Sequence, residues 1–112
     1  MLMDFEQVPM QLILHGGNAR GLAYEALDKA EEYNFEEADK LLQEANDEFL
    51  KGHKYQTQLI REQDKNMTPN FLTIHAQDHL MTAQAELQLI KRLVSNLKKQ
   101  FELEKRINKL EN

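Results

Sequence analysis

Two histidines and a carboxylate occur close together in the run HAQDHLM, residues 75–81. Positions i, i+3 and i+4 share one helix face, so the side chains of His75, Asp78 and His79 converge if this segment is helical. Two imidazoles at i and i+4 can bind one zinc ion, but a zincin-type peptidase needs Glu directly after the first His, and that residue is Ala76. The pattern disfavours a metallopeptidase. Two interpretations stay open. The histidines act together on one helix face, or one of them packs against the core while the other faces water and they have no joint role.

Two further polar clusters precede this run, namely HGGNAR at residues 15–20 and HKYQT at residues 53–57. In each cluster a histidine and an amide interrupt an otherwise apolar helix face. A buried amide needs hydrogen-bond partners. An internal polar network that fixes helix register and a polar functional pocket both account for this pattern. The residue types favour the pocket for Asn18, Arg20 and Gln56, and they leave both interpretations open for His15 and His53.

Three amphipathic helices are predicted to position these clusters, because strong helix formers dominate and only 4 Gly and 2 Pro interrupt them. Helical periodicity predicts the first helix over about residues 7–32 and a second after an Asn34 cap. The third begins at about Pro69, after a Thr68 cap. The predicted core positions are Val8, Leu12, Gly16, Ala19, Ala23, Ala26, Leu27 and Ala30, then Phe35, Ala38, Leu42, Ala45, Phe49, Gly52, Gln56 and Leu59, then Leu72, Ala76, Leu80, Ala83, Leu87, Ile90, Val94, Leu97 and Phe101.

Short connections between these helices predict an all-α, antiparallel, three-helix up-down-up bundle. Residues 1–112 are predicted to form one domain, with a core over about 7–100 and a helical extension over about 101–112 that includes Leu103, Ile107 and Leu110. A second set of residues on helix 3 lies roughly 80 to 140° from the centre of its core stripe. This set consists of His75, Asp78, Thr82, Leu89 and Leu93. An apolar arc that wide predicts a symmetric homo-oligomer built around helix 3.

Composition excludes several classes of function. The chain has 112 residues, a net charge of -5 and no Cys, and its mean hydropathy is -0.68. These values argue against a nucleic-acid partner, a disulfide framework, cysteine-ligated zinc and insertion into a membrane. We therefore expect a cytoplasmic protein. Acidic residues crowd the first half and basic residues the end of the chain, and the simpler interpretation is pairing between packed helices, with a partner-docking patch as the alternative.

The three polar clusters together resemble the lactose/cellobiose class of enzyme IIA in the bacterial phosphoenolpyruvate-dependent sugar phosphotransferase system. The resemblance is carried by His-x-Gly-Asn-Ala-Arg at residues 15–20, His-x-x-Gln-Thr at residues 53–57 and above all the specific run at residues 75–81. Order and spacing match from about residue 7 to residue 100. Gly16 stands where the family usually has Ala and Gly21 where Ser is common, and the tail from about Phe101 lies outside the shared pattern.

The resemblance implies that His75 is the phosphorylated residue, as a tele-phosphohistidine. It would accept a phosphoryl group from the phosphocarrier protein HPr and pass it to a cysteine of the sugar-specific enzyme IIB, for uptake of an oligosaccharide of the lactose, cellobiose or chitobiose type. Neutral imidazole suits this role, being nucleophilic near neutral pH and forming a labile N-phosphoryl product. His79, one turn further on, is expected to orient the imidazole of His75 or to donate to the phosphoryl oxygens.

The resemblance also implies a homotrimer in which Asp78 binds a metal ion on the threefold axis. Oxygen ligands suit Mg²⁺ or a similar divalent cation, and an ion would offset repulsion among three carboxylates. The competing hypothesis is a helical adaptor that assembles through helix 3 and carries no covalent modification. The heptad-like spacing of helices 2 and 3 favours that alternative, whereas the enzyme IIA motifs favour the phosphocarrier.

Overall fold

The chain folds into three long α-helices in a computed structural model that describes residues 7–62 and 70–112. Helix α1 spans Gln7–Glu31, α2 spans Phe35–Glu62 and α3 spans Phe71–Glu111. The described residues include no strand, so the predicted all-α class is confirmed. Among these helices none is long and apolar enough to cross a membrane.

Side-chain caps determine where two of the helices begin. The Oδ1 atom of Asn34 accepts a hydrogen bond from the backbone N–H of Glu37 at 3.3 Å, which confirms the predicted cap of α2. At α3 the cap is Asn70, whose Oδ1 accepts from the N–H of Thr73 at 2.8 Å. The predicted cap and first residue of this helix, 68 and 69, lie outside the described residues. Described α3 therefore begins at Phe71.

Side-chain pairs between the helices show the direction in which each helix runs relative to α3. Residues of α1 and α3 meet in ascending order along both helices, since Gly16 lies beside His79 and Arg20 pairs with Glu86. Tyr33, in the turn after α1, continues this order by contacting Glu104. Residues of α2 and α3 pair in the opposite order, since the Lys98 amine contacts Asp39 at 2.9 Å and the Lys91 amine donates to Asn46 at 3.3 Å. The Lys98 contact confirms that at least one acidic residue of the first half of the chain pairs with a basic residue near its end, between packed helices.

The core of the bundle is made of small residues on α1 and branched apolar residues on α3. Its largest fully buried side chains are Leu12, Leu80, Leu87, Val94 and Pro9. On α2 the predicted Leu42 is partly buried and packs against the core, and its neighbour Leu41 is buried as well, because the spacing from Ala38 to Ala45 admits either. One predicted core position was wrong. On α3 Leu72 is 43% exposed, because it lies in the first turn of the helix, at the end of the bundle.

An aromatic cluster closes the opposite end of the bundle. The Tyr33 ring lies 4.8 Å from Phe101 and 6.0 Å from Phe35, centroid to centroid. Tyr33 has a positive φ of 64°, which turns the chain sharply between α1 and α2. Its hydroxyl donates to Glu104 at 2.6 Å, and this bond to a carboxylate raises the pKa of Tyr33. Beyond Phe101 every residue of α3 is exposed, so the helix projects past the bundle.

Candidate functional site

A close approach of two helix backbones places the histidine run of α3 beside α1. Gly16 is buried, and a Cβ atom added to it would lie 3.4 Å from the carbonyl oxygen of His79 and from Cα of Leu80. Because glycine has no side chain, the backbone of α1 reaches the backbone of α3 at this point. The small-residue face of α1 thus fixes the position of His79 relative to α1.

The two histidines of the run contact each other directly. Their Nε2 atoms are 3.1 Å apart, and the rings meet edge to face with centroids 4.5 Å apart. His75 is exposed and His79 is half-buried. In a hydrogen bond between neutral imidazoles, one ring donates N–H and the other accepts with a lone pair. When His79 donates, Nε2 of the exposed His75 accepts this bond and is held unprotonated. The same lone pair becomes available to a phosphorus atom when the N–H of His79 turns to another acceptor.

These histidines line an open hollow of about 210 Å³ together with Arg20, Asp78 and Thr82. The structure therefore brings together all three predicted site residues, and it adds Arg20 from the first polar cluster. A guanidinium, two imidazoles and a hydroxyl converge there, with a single carboxylate beside them. This donor set suits a phosphate-like anion, because guanidinium and imidazole N–H groups form charge-assisted hydrogen bonds with phosphoryl oxygens.

Arg20 is held at the hollow by Glu86 of α3, a residue that the sequence analysis did not single out. The Nε atom of Arg20 contacts Oε2 of Glu86, and this oxygen is buried. The contact is an ion pair without well-aligned hydrogen-bond geometry, and the guanidinium compensates the charge of a partly buried carboxylate. A signal was present in the sequence, since Glu86 follows His75 by eleven positions, which at about 100° per residue places both on one helix face.

The other polar residues predicted for the site lie elsewhere. His15 Nδ1 donates a hydrogen bond to Oε2 of Glu48 at 2.7 Å, and its ring stacks on Tyr55. Both rings line a different hollow, together with Lys51, Lys54 and Gln58. His53 is exposed on α2, where its ring tilts against Phe49. Asn18 is exposed on α1. The second cluster therefore does not join the hollow around His75.

Gln56 shows the cost of an amide in an apolar seam. Its Nε2 donates to the sulfur of Met81 at 3.5 Å, whereas its buried Oε1 has no described hydrogen-bond partner. A bond to a thioether is weak, and a buried unpaired carbonyl is unfavourable. This amide bridges α2 to α3 two residues beyond His79, so of the two earlier interpretations the contact matches the register-fixing network more closely.

The described residues of one chain contain no group of three or more His, Cys, Asp or Glu side chains arranged to hold a metal ion. Asp78 is exposed and is the single carboxylate that lines the hollow. One protomer thus offers one carboxylate to a hard cation, and an oxygen-ligand site at Asp78 needs further copies of the chain.

Comparison with known proteins places this geometry in a family. Residues 7–98 match the model of the family described as PTS system, Lactose/Cellobiose specific IIA subunit. The lichenan-specific phosphotransferase enzyme IIA component of Bacillus subtilis (strain 168) is 46% identical over 82 residues, which cover 71% of this chain and 74% of that protein.

Two solved structures share the fold. The PTS cellobiose-specific enzyme IIA from Bacillus anthracis is similar with a TM-score of 0.84 and 38% identity, over 91% of this chain and 95% of that chain. A chain in the solution structures of the IIA(Chitobiose)–HPr complex of Escherichia coli gives a TM-score of 0.78 and 33% identity, over 88% and 97%. The chain therefore belongs to the lactose/cellobiose-specific IIA family and is a phosphotransferase component of this sugar transport system.

Proposed function

We propose that Nε2 of His75 accepts a phosphoryl group from phospho-HPr and passes it to a cysteine of the cognate enzyme IIB, in the cytoplasm, during uptake of a lactose-, cellobiose- or chitobiose-type sugar. The observation that carries the proposal is the exposed His75 at a hollow of nitrogen donors. Family membership supports it, and so does the similarity to an enzyme IIA whose complex with HPr has been solved. No nucleic acid takes part.

The proposed step needs alignment and charge compensation. The lone pair of His75 Nε2 forms a bond to phosphorus while the bond from phosphorus to the donor's histidine nitrogen breaks, and the electron pair stays on that nitrogen. In the second step the thiolate of enzyme IIB attacks phosphorus and Nε2 regains its lone pair. Phosphoryl transfer has a loose transition state, so donors around the equatorial oxygens matter most. His79 Nε2–H and the guanidinium of Arg20 are the groups placed to supply them.

We further propose that three up-down-up bundles assemble around α3, with the three Asp78 carboxylates sharing Mg²⁺ or a similar divalent cation at the threefold axis. The order of the side-chain pairs supports the bundle arrangement. The exposed apolar side chains of Leu89 and Leu93 on the Asp78 side of α3 support the assembly. The ion would supply positive charge that lets three carboxylates approach, which is a structural role.

The test is covalent modification by phosphoenolpyruvate, enzyme I and HPr. One phosphoryl group should add about 80 Da and should survive alkali but not acid, as phosphoramidates do. His75→Ala should lose the adduct with its helicity unchanged, because Ala is the better helix former. His15→Ala and His53→Ala are the controls and should still be modified, since both lie away from the hollow.

Two results would contradict the proposal. An adduct that persists in His75→Ala and maps by fragmentation to His79, His15 or His53 would overturn the assignment of the acceptor. No adduct on the unmodified sequence, with a known enzyme IIA phosphorylated in the same reaction, would instead favour the adaptor hypothesis.

A further inference from the structure

A second hollow lies between α1 and α2, and the proposed phosphoryl transfer does not use it. We call it the α1–α2 hollow, and its lining side chains are His15, Lys51, Lys54, Tyr55 and Gln58. Its volume is about 330 Å³. Sites that hold small molecules in proteins have volumes of roughly 300 to 1,000 Å³. The α1–α2 hollow is therefore large enough for a small organic ligand.

A close approach of α1 and α2 fixes one wall of this hollow. Gly52 is buried, and a Cβ atom added to it would lie 3.2 Å from Cβ of His15 and 2.7 Å from Cδ1 of Leu80. Because Gly52 has no side chain, α1 can bring His15 against α2. The His15 ring lies nearly parallel to that of Tyr55, with 13° between the ring planes, and Tyr55 packs against the core. The hollow thus has a flat aromatic wall.

Glu48 determines which nitrogen of His15 is available to a ligand. A carboxylate accepts hydrogen bonds, so the 2.7 Å contact with Oε2 of Glu48 places a proton on Nδ1 of His15. In the neutral ring Nε2 then carries the lone pair. The imidazole side chain is only 14% exposed, which limits its freedom to turn. Held in this tautomer, His15 accepts a hydrogen bond from a hydroxyl group.

Two lysines about one turn apart on α2 supply positive charge at the rim of the hollow. The ammonium of Lys51 is 3.8 Å from Oε1 of Glu48, which is longer than a direct hydrogen bond, and Lys54 is exposed. Lysine binds phosphate as a point charge. A phosphate monoester carries nearly two negative charges near neutral pH, so two ammonium groups balance it. The amide of Gln58 adds N–H donors beside them.

We propose that the α1–α2 hollow binds a phosphorylated sugar or polyol, a small molecule that carries hydroxyl groups beside a phosphate monoester. The two lysines bind the phosphate, Nε2 of His15 accepts from a hydroxyl group, and the face of Tyr55 covers C–H groups of the ligand. A simple anion has no hydroxyl for His15 and leaves the aromatic wall unused. The two hollows share no described lining residue, so the inference does not depend on phosphoryl transfer at His75.

Titration of three probes into the isotope-labelled protein, followed by amide chemical shifts, tests the class of ligand. Glucose 6-phosphate should give saturable shifts at His15 and at residues 51–58. Methyl phosphate has the same phosphate monoester but no hydroxyl group, so it should bind at least severalfold more weakly. Glucose lacks the phosphate and should cause no saturable shift. An affinity for glucose 6-phosphate no higher than that for methyl phosphate, or no saturable shift at these residues, would overturn the proposal.

Substitution of the two lysines tests the site itself. The double variant Lys51→Gln, Lys54→Gln should bind both phosphates at least tenfold more weakly with unchanged helicity, because both side chains are exposed. Lys40→Gln is the matched control, since it removes another exposed lysine of α2 that lies eleven residues before Lys51. It should bind like the starting protein. Equal affinities of the double variant and this control would place the phosphate elsewhere and contradict the proposal.

Tyr55→Leu separates the contribution of the aromatic wall from that of the charges. It should remove the advantage of glucose 6-phosphate over methyl phosphate and leave the affinity for methyl phosphate unchanged, because the lysines remain. An advantage that persists in Tyr55→Leu would show that the wall does not contact the ligand. The adduct at His75 should form in all these variants, so the two proposals can fail separately.

Discussion

The contact between His75 and His79 gives the proposed acceptor its orientation. With Nε2 atoms 3.1 Å apart, a proton on His79 Nε2 keeps Nε2 of His75 unprotonated and fixes the orientation of its ring beside the hollow. Once a phosphoryl group occupies Nε2 of His75, the same N–H is placed to donate to its oxygens. One side chain can thus serve both states of the carrier, by orienting the free imidazole and by compensating charge on the modified one.

This dual role predicts the effect of changing His79. His79→Ala should lower the rate of adduct formation by roughly tenfold to a hundredfold, while the final extent still reaches one phosphoryl group per chain. His79→Gln keeps an N–H donor at about the same reach and should recover part of the rate. Time courses with limiting HPr, read by intact mass, measure both. A rate for His79→Ala equal to the starting protein would remove His79 from the site.

Glu86 is expected to act on the same reaction through Arg20. Glu86→Gln removes the charge that holds the guanidinium, so the rate should fall severalfold with the acceptor unchanged. Arg20→Gln should have a similar or larger effect. If Glu86 works only by holding Arg20, the double variant should be no slower than Arg20→Gln alone. If the rate of the double variant falls by the product of the two single effects, Glu86 has a role that is independent of Arg20.

Prediction from sequence succeeded where one residue type at one spacing determines the outcome. The i, i+3, i+4 rule brought His75, Asp78 and His79 together, and the Asn34 cap follows from local chemistry. It was incomplete where the outcome depends on a partner helix. Glu86 shares the face of His75, but only the approach of Arg20 from α1 shows its role.

At the scale of the elements, the close approach of α1 and α3 is what builds the hollow. Gly16 brings the backbone of α1 against that of His79, and four buried alanines continue this face along α1. Periodicity predicts such a small-residue face, because small side chains let helices approach. It does not determine how two adjacent leucines share the interior, since the predicted Leu42 packs against the core and Leu41, which was not predicted, is also buried.

The approach at Gly16 predicts opposite outcomes for two substitutions. In Gly16→Ala the new Cβ atom would lie at ordinary contact distance, so the gain in helix propensity should raise stability by up to about 1 kcal/mol. This fits the resemblance, in which Ala is usual at the position. The two additional methyl groups of Gly16→Val would press on the backbone at His79, which should cost roughly 1 to 3 kcal/mol.

Thermal unfolding and the phosphorylation time course measure these two variants together. Gly16→Val should also slow adduct formation, because displacement of α3 moves His79 relative to Arg20. Gly21→Ala serves as the control for helix propensity, since a Cβ atom there meets no atom within 4 Å. If Gly16→Val were as stable and as fast as Gly21→Ala, the backbone contact would not position the site.

At the scale of the whole molecule, one helix carries both the candidate site and the exposed apolar residues through which we propose assembly. α3 is 41 residues long, and it presents the His75 hollow near its beginning and projects past the bundle near its end. Asp78 belongs to both surfaces, because it lines the hollow and is also exposed on the same side of α3 as Leu89. An exposed carboxylate in an apolar contact surface is costly unless something offsets its charge.

The cost of bringing three Asp78 carboxylates together predicts how the proposed assembly responds to a metal ion and to substitution of Asp78. With Mg²⁺ present the protein should sediment as a trimer of the 13.2 kDa chain, and chelation with EDTA should weaken the trimer, because three carboxylates then repel. Asp78→Leu should assemble at least as tightly and should no longer respond to EDTA, since apolar side chains replace the clustered charges.

Asp28→Leu is the matched control, because Asp28 is an exposed acidic residue on α1. It should keep both the trimer mass and the response to EDTA. Loss of the trimer in Asp78→Leu would argue against carboxylates clustered at an axis. A single 13.2 kDa species at micromolar concentration with Mg²⁺ present would remove the assembly itself. Phosphorylation of His75 in that monomer would still identify the carrier residue, because each hollow is lined by residues of one chain.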